Sequence, residues 1–266
     1  LEYTSKGGFI QAVHEMLPYL SIEDRHSSFL WAVEVRQIDL VDPLIQVSVD
    51  IRAEILIGGK YLLIAAGRLD HKVMNPLLGR GADPHCRPNV GNDLKLNGRP
   101  FIVSSWDESL RYSSLLLTVF AACKNKPKET KNIQECLDLL LNAEIDIQAA
   151  SVDGKIALHY CVQYNPSVIE KLLQHGADSN ATITTGDTPL HLFKRFNESA
   201  PILEILKRYG ARVDVPRHRD KNTPLHTCGY SSDKNLDLEC MQIYVKDWSI
   251  PNIVGNTPLY LTSGTN

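Results

Sequence analysis

The feature that most limits what this chain can fold into is a four-residue phrase that returns at a nearly constant interval. Thr188-Pro189-Leu190-His191 recurs as Thr223-Pro224-Leu225-His226 and as Thr257-Pro258-Leu259-Tyr260, with a weaker copy at Ile156-Ala157-Leu158-His159. The fourth positions fall at 159, 191, 226 and 260, so the steps are 32, 35 and 34 residues. A second phrase keeps the same phase: Leu172-Leu173-Gln174-His175-Gly176-Ala177-Asp178, then Ile205-Leu206-Lys207-Arg208-Tyr209-Gly210-Ala211. Repetition at this period means stacked supersecondary units, none of which can bury its apolar face alone. Within each unit, Thr188, Thr223 and Thr257 are expected to cap a helix by accepting from its orphan amides. The Pro that follows suits the first helical turn, where a missing N–H costs nothing. Gly81, Gly176 and Gly210 are expected to end the second helix of their units in the left-handed conformation.

In this order and period the phrases resemble the ankyrin repeat. Degraded copies extend the resemblance upstream, at Ser28-Phe29-Leu30-Trp31-Ala32-Val33, at Tyr61 to Ala66 followed by Leu77 to Asp83, and at Ser114 to Leu117 followed by Leu139 to Ala143. The resemblance implies an all-α solenoid of helix-turn-helix units with hairpin fingers, about seven repeats with incomplete ones at the termini. As one domain over 1–266, its repeats fall near 1–25, 26–57, 58–88, 112–150, 151–182, 183–217, 218–252 and 253–266, counted so that 26–57 is repeat 1. Residues 89–111 are an insertion in the finger between repeats 2 and 3. It also implies that Leu190, Leu225 and Leu259 point into the stacked core and that the phrase histidines hydrogen-bond across repeat boundaries. Pro43 and Pro76 occupy one position in successive second helices and should kink them or lie in their first turns.

Composition closes off other classes. Twenty-eight Lys and Arg against 31 Asp and Glu give a net charge of −3, which argues against a nucleic-acid coat. No apolar stretch approaches the length of a transmembrane helix. The start, Leu1-Glu2-Tyr3, has neither an initiator Met nor a signal-peptide apolar core, and the chain reads as a fragment from which a targeting signal can have been removed. Six scattered cysteines without a CxxC pair fit reduced thiols, hence an intracellular protein of cytoplasm or nucleus.

Nine histidines invite a catalytic or metal reading, but His159, His175, His191 and His226 are repeat signatures. His85-Cys86 has no second ligand pair nearby and falls short of a zinc site. His14-Glu15 lacks the second His of a zinc protease, and neither a G-x-S-x-G elbow nor a phosphate loop is present. No metal, cofactor or catalytic residue is therefore expected. The sequence reads as a protein-interaction module that binds a partner protein or peptide through its concave groove and fingers, without catalysis.

The resemblance implies that the groove is lined near the ends of the first helices, at Gln163 and Tyr164, Arg195 and Phe196, Tyr230 and Ser231. The finger tips on the same side are Val152, Asp153 and Lys155, then Thr184, Thr185 and Asp187, then Arg219, Asp220 and Asn222. Charge is uneven: residues 1–54 carry nine acids and four bases, residues 207–221 six bases and two acids. That basic run, with Arg212 and Arg217, is either a solvated finger or a site for an acidic or phosphorylated peptide. No aromatic platform accompanies it, so nucleic acid is not the expected partner. Trp106 and Asp107 of the insertion, with Arg212 and Arg217 of the basic run, are the candidates for a second site. An alternative reading is an enzyme or small-molecule binder, with residues 84–111 closing over a pocket built with His85, Cys86, Trp106 and Asp107. Another is the regulatory or substrate-recruiting part of a longer protein. Asn180 resembles the hairpin asparagine that ankyrin proteins present for hydroxylation, and is otherwise a plain turn residue.

Overall fold

The structure is a computed structural model that describes residues 11–12, 15–16, 19–34, 39–41, 44, 55–86, 95–96, 99–100, 113–124, 130–162, 165–193, 200–229 and 248–263. The chain forms two compact units, one of residues 1–121 with 129–145 and one of 122–128 with 146–266.

The first unit contains α1 (Ile22–Glu34), α2 (Ile55–Gly67), α3 (His71–Gly79), a strand pair β1 (Lys95–Leu96) and β2 (Arg99–Pro100), and α5 (Thr130–Asn142), while α4 (Ser114–Lys124) spans the division. Tyr61 to Ala66 are six consecutive buried residues, so α2 is covered on every side rather than along one stripe. Phe29 of α1 meets Tyr61 with ring centroids 4.2 Å apart and planes tilted by 52°. Another neighbour of α2 is α3, which turns Val73, Met74 and Leu77 inward and in turn packs on α5. Pro76 lies inside α3, toward its partly exposed side, where it withholds an amide from the Lys72 carbonyl; Pro43 lies outside the described residues. Strands among the described residues are limited to the antiparallel β1–β2 pair, with Lys95 opposite Pro100.

The unit centred on α4 lacks the Thr-Pro-Leu-His phrase and substitutes serine chemistry. Ser113 Oγ accepts from Leu116 N at 3.4 Å as the cap, and Ser114 Oγ donates at 2.7 Å to the Pro84 carbonyl of the preceding repeat.

The second unit runs α6 (Ala157–Cys161), α7 (Pro166–Gln174), a 3-10 turn (Pro189–Leu192), α8 (Ala200–Arg208), α9 (Pro224–Gly229) and α10 (Pro258–Ser263). First helices stack on first helices (α6, the 3-10 turn, α9, α10), and the second helices α7 and α8 stack beside them. Second helices end alike. After α7, Gly176 N donates to Leu173 O and Ala177 N to Leu172 O; after α8, Gly210 N donates to Lys207 O and Ala211 N to Leu206 O. Gly176 and Gly210 take φ values of 91° and 79°, and Gly81 one of 87°, as the sequence predicts.

Three sequence expectations need correction. The first element of the 183–217 repeat is a 3-10 turn rather than an α-helix. Thr188 and Thr223 do not cap through an amide; their hydroxyls lie 2.9 Å from the Nδ1 of His191 and His226. Only where Tyr260 replaces the histidine does the hydroxyl act as expected, Thr257 Oγ1 accepting from Tyr260 N at 3.2 Å. Leu259 is 59% exposed, against 1% for Leu190 and Leu225, because no described element lies over the outer side of α10.

Truncating Leu190 to Ala should therefore cost roughly 2–5 kcal/mol, the range for a buried leucine. Leu259→Ala should change stability by less than about 0.5 kcal/mol. Urea unfolding followed by far-UV circular dichroism checks both; equal costs would contradict the placement.

Candidate functional site

The candidate surface is built by the fingers between repeats. Residues 151–155, 183–187 and 252–256 each close with the same two backbone bonds, such as Ile183 N to Asp187 O at 3.0 Å and Gly186 N to Ile183 O at 2.8 Å. Adjacent fingers are then joined edge to edge. Thr184 N donates to Asp153 O, His218 N to Thr185 O, and Ile253 N to Asp220 O, at 3.2, 3.0 and 2.9 Å. This approach needs glycine at two places. A Cβ on Gly186 would lie 2.7 Å from His218, and one on Gly154 would lie 3.2 Å from Ile183 and Thr184, with both residues at φ 84°.

Beneath the fingers, the phrase histidines tie repeat to repeat. Thr188 N points at His191 Nδ1 at 3.0 Å, and an N–H can only donate, so Nδ1 is bare and Nε2 carries the proton. That proton is directed at Asn222 O of the next repeat, 3.1 Å away. His226 repeats the arrangement, with Thr223 N at 3.1 Å and Asn256 O at 3.0 Å. His159 accepts from Ile156 N at 3.2 Å, and its buried Nε2 is turned toward the backbone of Asp187 and Ala181 without a well-formed bond. Burial lowers the pKa of all three, to about 4 for His159.

A polar spine crosses the later fingers. Arg217 forks onto Asp220 at 2.7 and 2.5 Å and reaches back to Asp187 at 3.3 Å. Asn222 donates to Asp220 at 2.9 Å, and Asn252 Nδ2 donates to Asn222 Oδ1 at 2.8 Å. The Arg217 guanidinium holds the Asp220 carboxyl down to about 2 against a smaller opposing effect of burial, and Asp220 in turn raises Arg217.

The residues expected to touch a partner divide accordingly. Val152, Thr184, Thr185 and Arg219 are exposed at finger tips. Asp153 and Lys155 are half-buried and paired at 2.6 Å; burial raises the Asp153 pKa, but hydrogen bonds from Lys155 and Ser151 outweigh it and leave it lowered. Asp187 and Asn222 are buried in the spine, and Asp220 faces Arg217. Arg212 forks onto Asp214 at 3.0 Å through both Nε and Nη2. Asn180 bridges repeats, donating to Gly210 O at 2.9 Å and accepting from Arg212 N at 2.8 Å. Gln148 does the same work one repeat earlier, toward Gly176 O at 2.8 Å. Gln163, Tyr164, Arg195, Phe196, Tyr230, Ser231, Trp106 and Asp107 lie outside the described residues.

Sequence reasoning missed a feature of the first unit. His71 Nε2 lies 2.8 Å from Glu135 Oε2, joining α3 to α5 across a shallow cleft of about 570 Å³ that also takes in Lys72, Asn75, Asp138 and Asn142. No local signal pairs residues 71 and 135, which meet only because two second helices stack. Elsewhere, His85 is exposed, its amide bound by Asp83 Oδ1 at 2.9 Å. Among the described residues no three His, Cys, Asp or Glu side chains are grouped to hold a metal ion. No described helix is long and apolar enough to cross a membrane.

Comparison with known proteins falls on the same repeats. The family model for the ankyrin repeat matches residues 153–183. An ankyrin repeat protein of fowlpox virus is 38% identical over 96 residues, 35% of this chain and 28% of its own length. The ankyrin repeat protein nuc-2 of Neurospora crassa is 31% identical over 130 residues, 48% of this chain and 12% of its own. The human ankyrin repeat and SOCS box protein 16 is 36% identical over 85 residues, 32% of this chain and 18% of its own. The matched regions thus span less than a third of these curated relatives.

The neutral histidines predict an acid limb. With His159 at about 4 when folded and near 6.5 when unfolded, the unfolded chain binds a proton that the folded chain refuses. Stability should be full above pH 6.5, fall as pH drops toward 4 by at most about 1.4 kcal/mol per unit for this group, and then level off. Urea midpoints across pH 7.5 to 4.5 measure it, and His159→Gln should make the limb shallower; an unchanged limb in that variant would contradict the assignment.

Proposed function

We propose, from the premise that this chain is an ankyrin-repeat protein, that it recognises a partner protein or peptide through its finger tips and the groove beside them, without catalysis. Ankyrin repeats are protein-interaction modules. The observation that carries the reading for this chain is the edge-to-edge ladder, in which Asp153, Thr185 and Asp220 carbonyls each hold the amide of the next finger. A surface fixed by its own backbone loses little freedom on binding, which is the condition for affinity from a modest contact area.

On that ladder Val152, Thr184, Thr185 and Arg219 face solvent as contact groups. The pairs Asp153–Lys155 and Arg217–Asp220 set the shape of the tips that carry them. Gln163, Tyr164, Arg195, Phe196, Tyr230 and Ser231, assigned from sequence, supply the groove side, where aromatics flanked by Arg have the composition of a hot spot. The 217–221 finger favours a partner with acidic or phosphorylated side chains. An intracellular setting, cytoplasm or nucleus, is supported by Cys86, Cys123, Cys136 and Cys161, none of which is in a disulfide.

The test begins with affinity purification of the tagged protein and mass spectrometry to obtain the partner. A stoichiometric protein is expected, and recovery of only a metabolite would overturn the reading. With the partner in hand, the combined change of Tyr164, Phe196 and Tyr230 to Ala should weaken binding by more than ~2 kcal/mol with little change in melting temperature. Early melting of that variant would instead make these residues part of the core.

A further inference from the structure

The finger at 217–222 departs from its neighbours in two ways. It is one residue longer: Arg217 N reaches Asn222 O, five positions on, where Ile183 N reaches Asp187 O and Asn252 N reaches Asn256 O, four positions on. Where the other fingers place Gly154, Gly186 and Gly255 in the left-handed region, this one places Lys221, at φ 59°. A side chain there is strained, and glycine would relieve the strain at no cost in contacts. Strain that persists in one finger of four is a pointer to use.

What the departure provides is a cationic tip. Arg219 and Lys221 are exposed cations that make no ion pair among the described residues, and the exposed His218 lies beside them. The cation beneath them, Arg217, is already matched by Asp187 and Asp220, so it builds the platform and leaves contact to the tip. The next finger is bound to this one through Ile253 N and Asp220 O, and it presents Ile253 and Val254 at 66% and 76% exposure. These are turn positions, where Asn, Asp, Gly and Ser are usual and β-branched side chains contribute nothing to the turn. On the other side lie the exposed Thr184 and Thr185, held through the Thr185 carbonyl.

We propose that this strip, cationic at Arg219 and Lys221 and aliphatic at Ile253 and Val254, docks a segment of a partner protein in which acidic or phosphorylated side chains adjoin an aliphatic or aromatic one. The inference rests on the finger-tip reading above and names the chemistry of the partner. Charge complementarity steers and orients the segment, while Ile253 and Val254 supply apolar area for it to cover. An anionic lipid surface offers the same pair of attractions. A net charge of −3 on the chain favours a small peptide segment over an extended anionic surface.

Selection of a random peptide library on the full chain tests this without a known partner. The expected result is enrichment of peptides with Asp or Glu beside an apolar residue. Their affinity should fall about tenfold or more in Arg219→Glu and in Val254→Asp, and fall again with added salt. Lys221→Gly separates binding from folding: it should raise the melting temperature by a few degrees while weakening the peptide, whereas a purely structural lysine would move both together. Enriched peptides that lack acids, or that bind these variants as well as the parent, would overturn the inference while leaving protein recognition elsewhere on the repeats intact. Binding of phosphatidylserine vesicles with the same dependence on Arg219, in place of any peptide, would overturn it in favour of a membrane. If no peptide is enriched at all, this inference falls, while the finger-tip reading stands or falls by the affinity purification above.

Discussion

The structure of the second unit depends on a backbone carbonyl that accepts twice. Asn222 O closes its own finger by taking Arg217 N at 2.9 Å, and it also takes His191 Nε2 from the repeat before at 3.1 Å. Asn256 O does the same for Asn252 N and His226. Finger shape and repeat stacking are therefore set by one atom, and neither can shift without the other. The arrangement works only with a neutral ring, because a protonated Nδ1 would face the amides of Thr188 and Thr223. Burial that keeps the proton off Nδ1 is thus part of the joint. At the boundary of His159 the joint is looser: Asp187 O takes Ile183 N, and the buried imidazole N–H is turned toward the backbone of Asp187 and Ala181 without a well-formed bond. This boundary is also tied by the link from Thr184 N to Asp153 O.

What the sequence made legible is what each repeat decides locally. The period, the left-handed glycines at 81, 176 and 210, and the inward Leu190 and Leu225 follow from residues within one repeat. What stayed hidden depends on residues about 30 positions away. Arg217 is matched by Asp187, Asn222 by Asn252, and Asn180 by Gly210 and Arg212, and no local pattern announces these pairings. The threonines differ at shorter range: at 188 and 223 the hydroxyl donates to Nδ1 of the histidine three residues on, whereas at 257, where a tyrosine stands in its place, it accepts from the Tyr260 amide. Among the predicted contact residues, Asp187 and Asn222 read as tip residues by position, yet Asp187 is taken by Arg217, and Asn222 by Asp220 of its own finger and Asn252 of the next. The proposed groove residues, Gln163, Tyr164, Arg195, Phe196, Tyr230 and Ser231, come from the family resemblance and lie outside the described residues.

The charge count of residues 207–221 shows how composition misleads once partners are known. Six bases against two acids suggest a broad basic patch. Yet Arg208 reaches Glu170 at 3.1 Å, Arg212 forks onto Asp214, and Arg217 lies between Asp187 and Asp220. Asp214 and Asp220 within the run, with Glu170 and Asp187 outside it, thus face Arg208, Arg212 and Arg217, and Arg219 and Lys221 are left exposed at the tip. A small, fixed cluster of charge discriminates among partners better than a diffuse one, because a mispositioned anion gains little from it.

The same logic bears on where function resides in a repeat stack. Regular positions are occupied by structural demands: the histidine needs its carbonyl, the glycine needs its φ, the leucine needs its neighbour. A position can carry recognition only when its side chain is released from those demands or placed against them. The step from His191 to His226 is 35 residues, three more than the step before it. Part of that excess is the extra residue that lets Lys221 stand where a glycine would be easier. Ile253 and Val254 likewise occupy turn sites that polar residues would fill at lower cost. The departures from the repeat, more than the repeat itself, therefore distinguish this stack from any other of the same architecture, and they lie on two fingers joined by a single backbone bond.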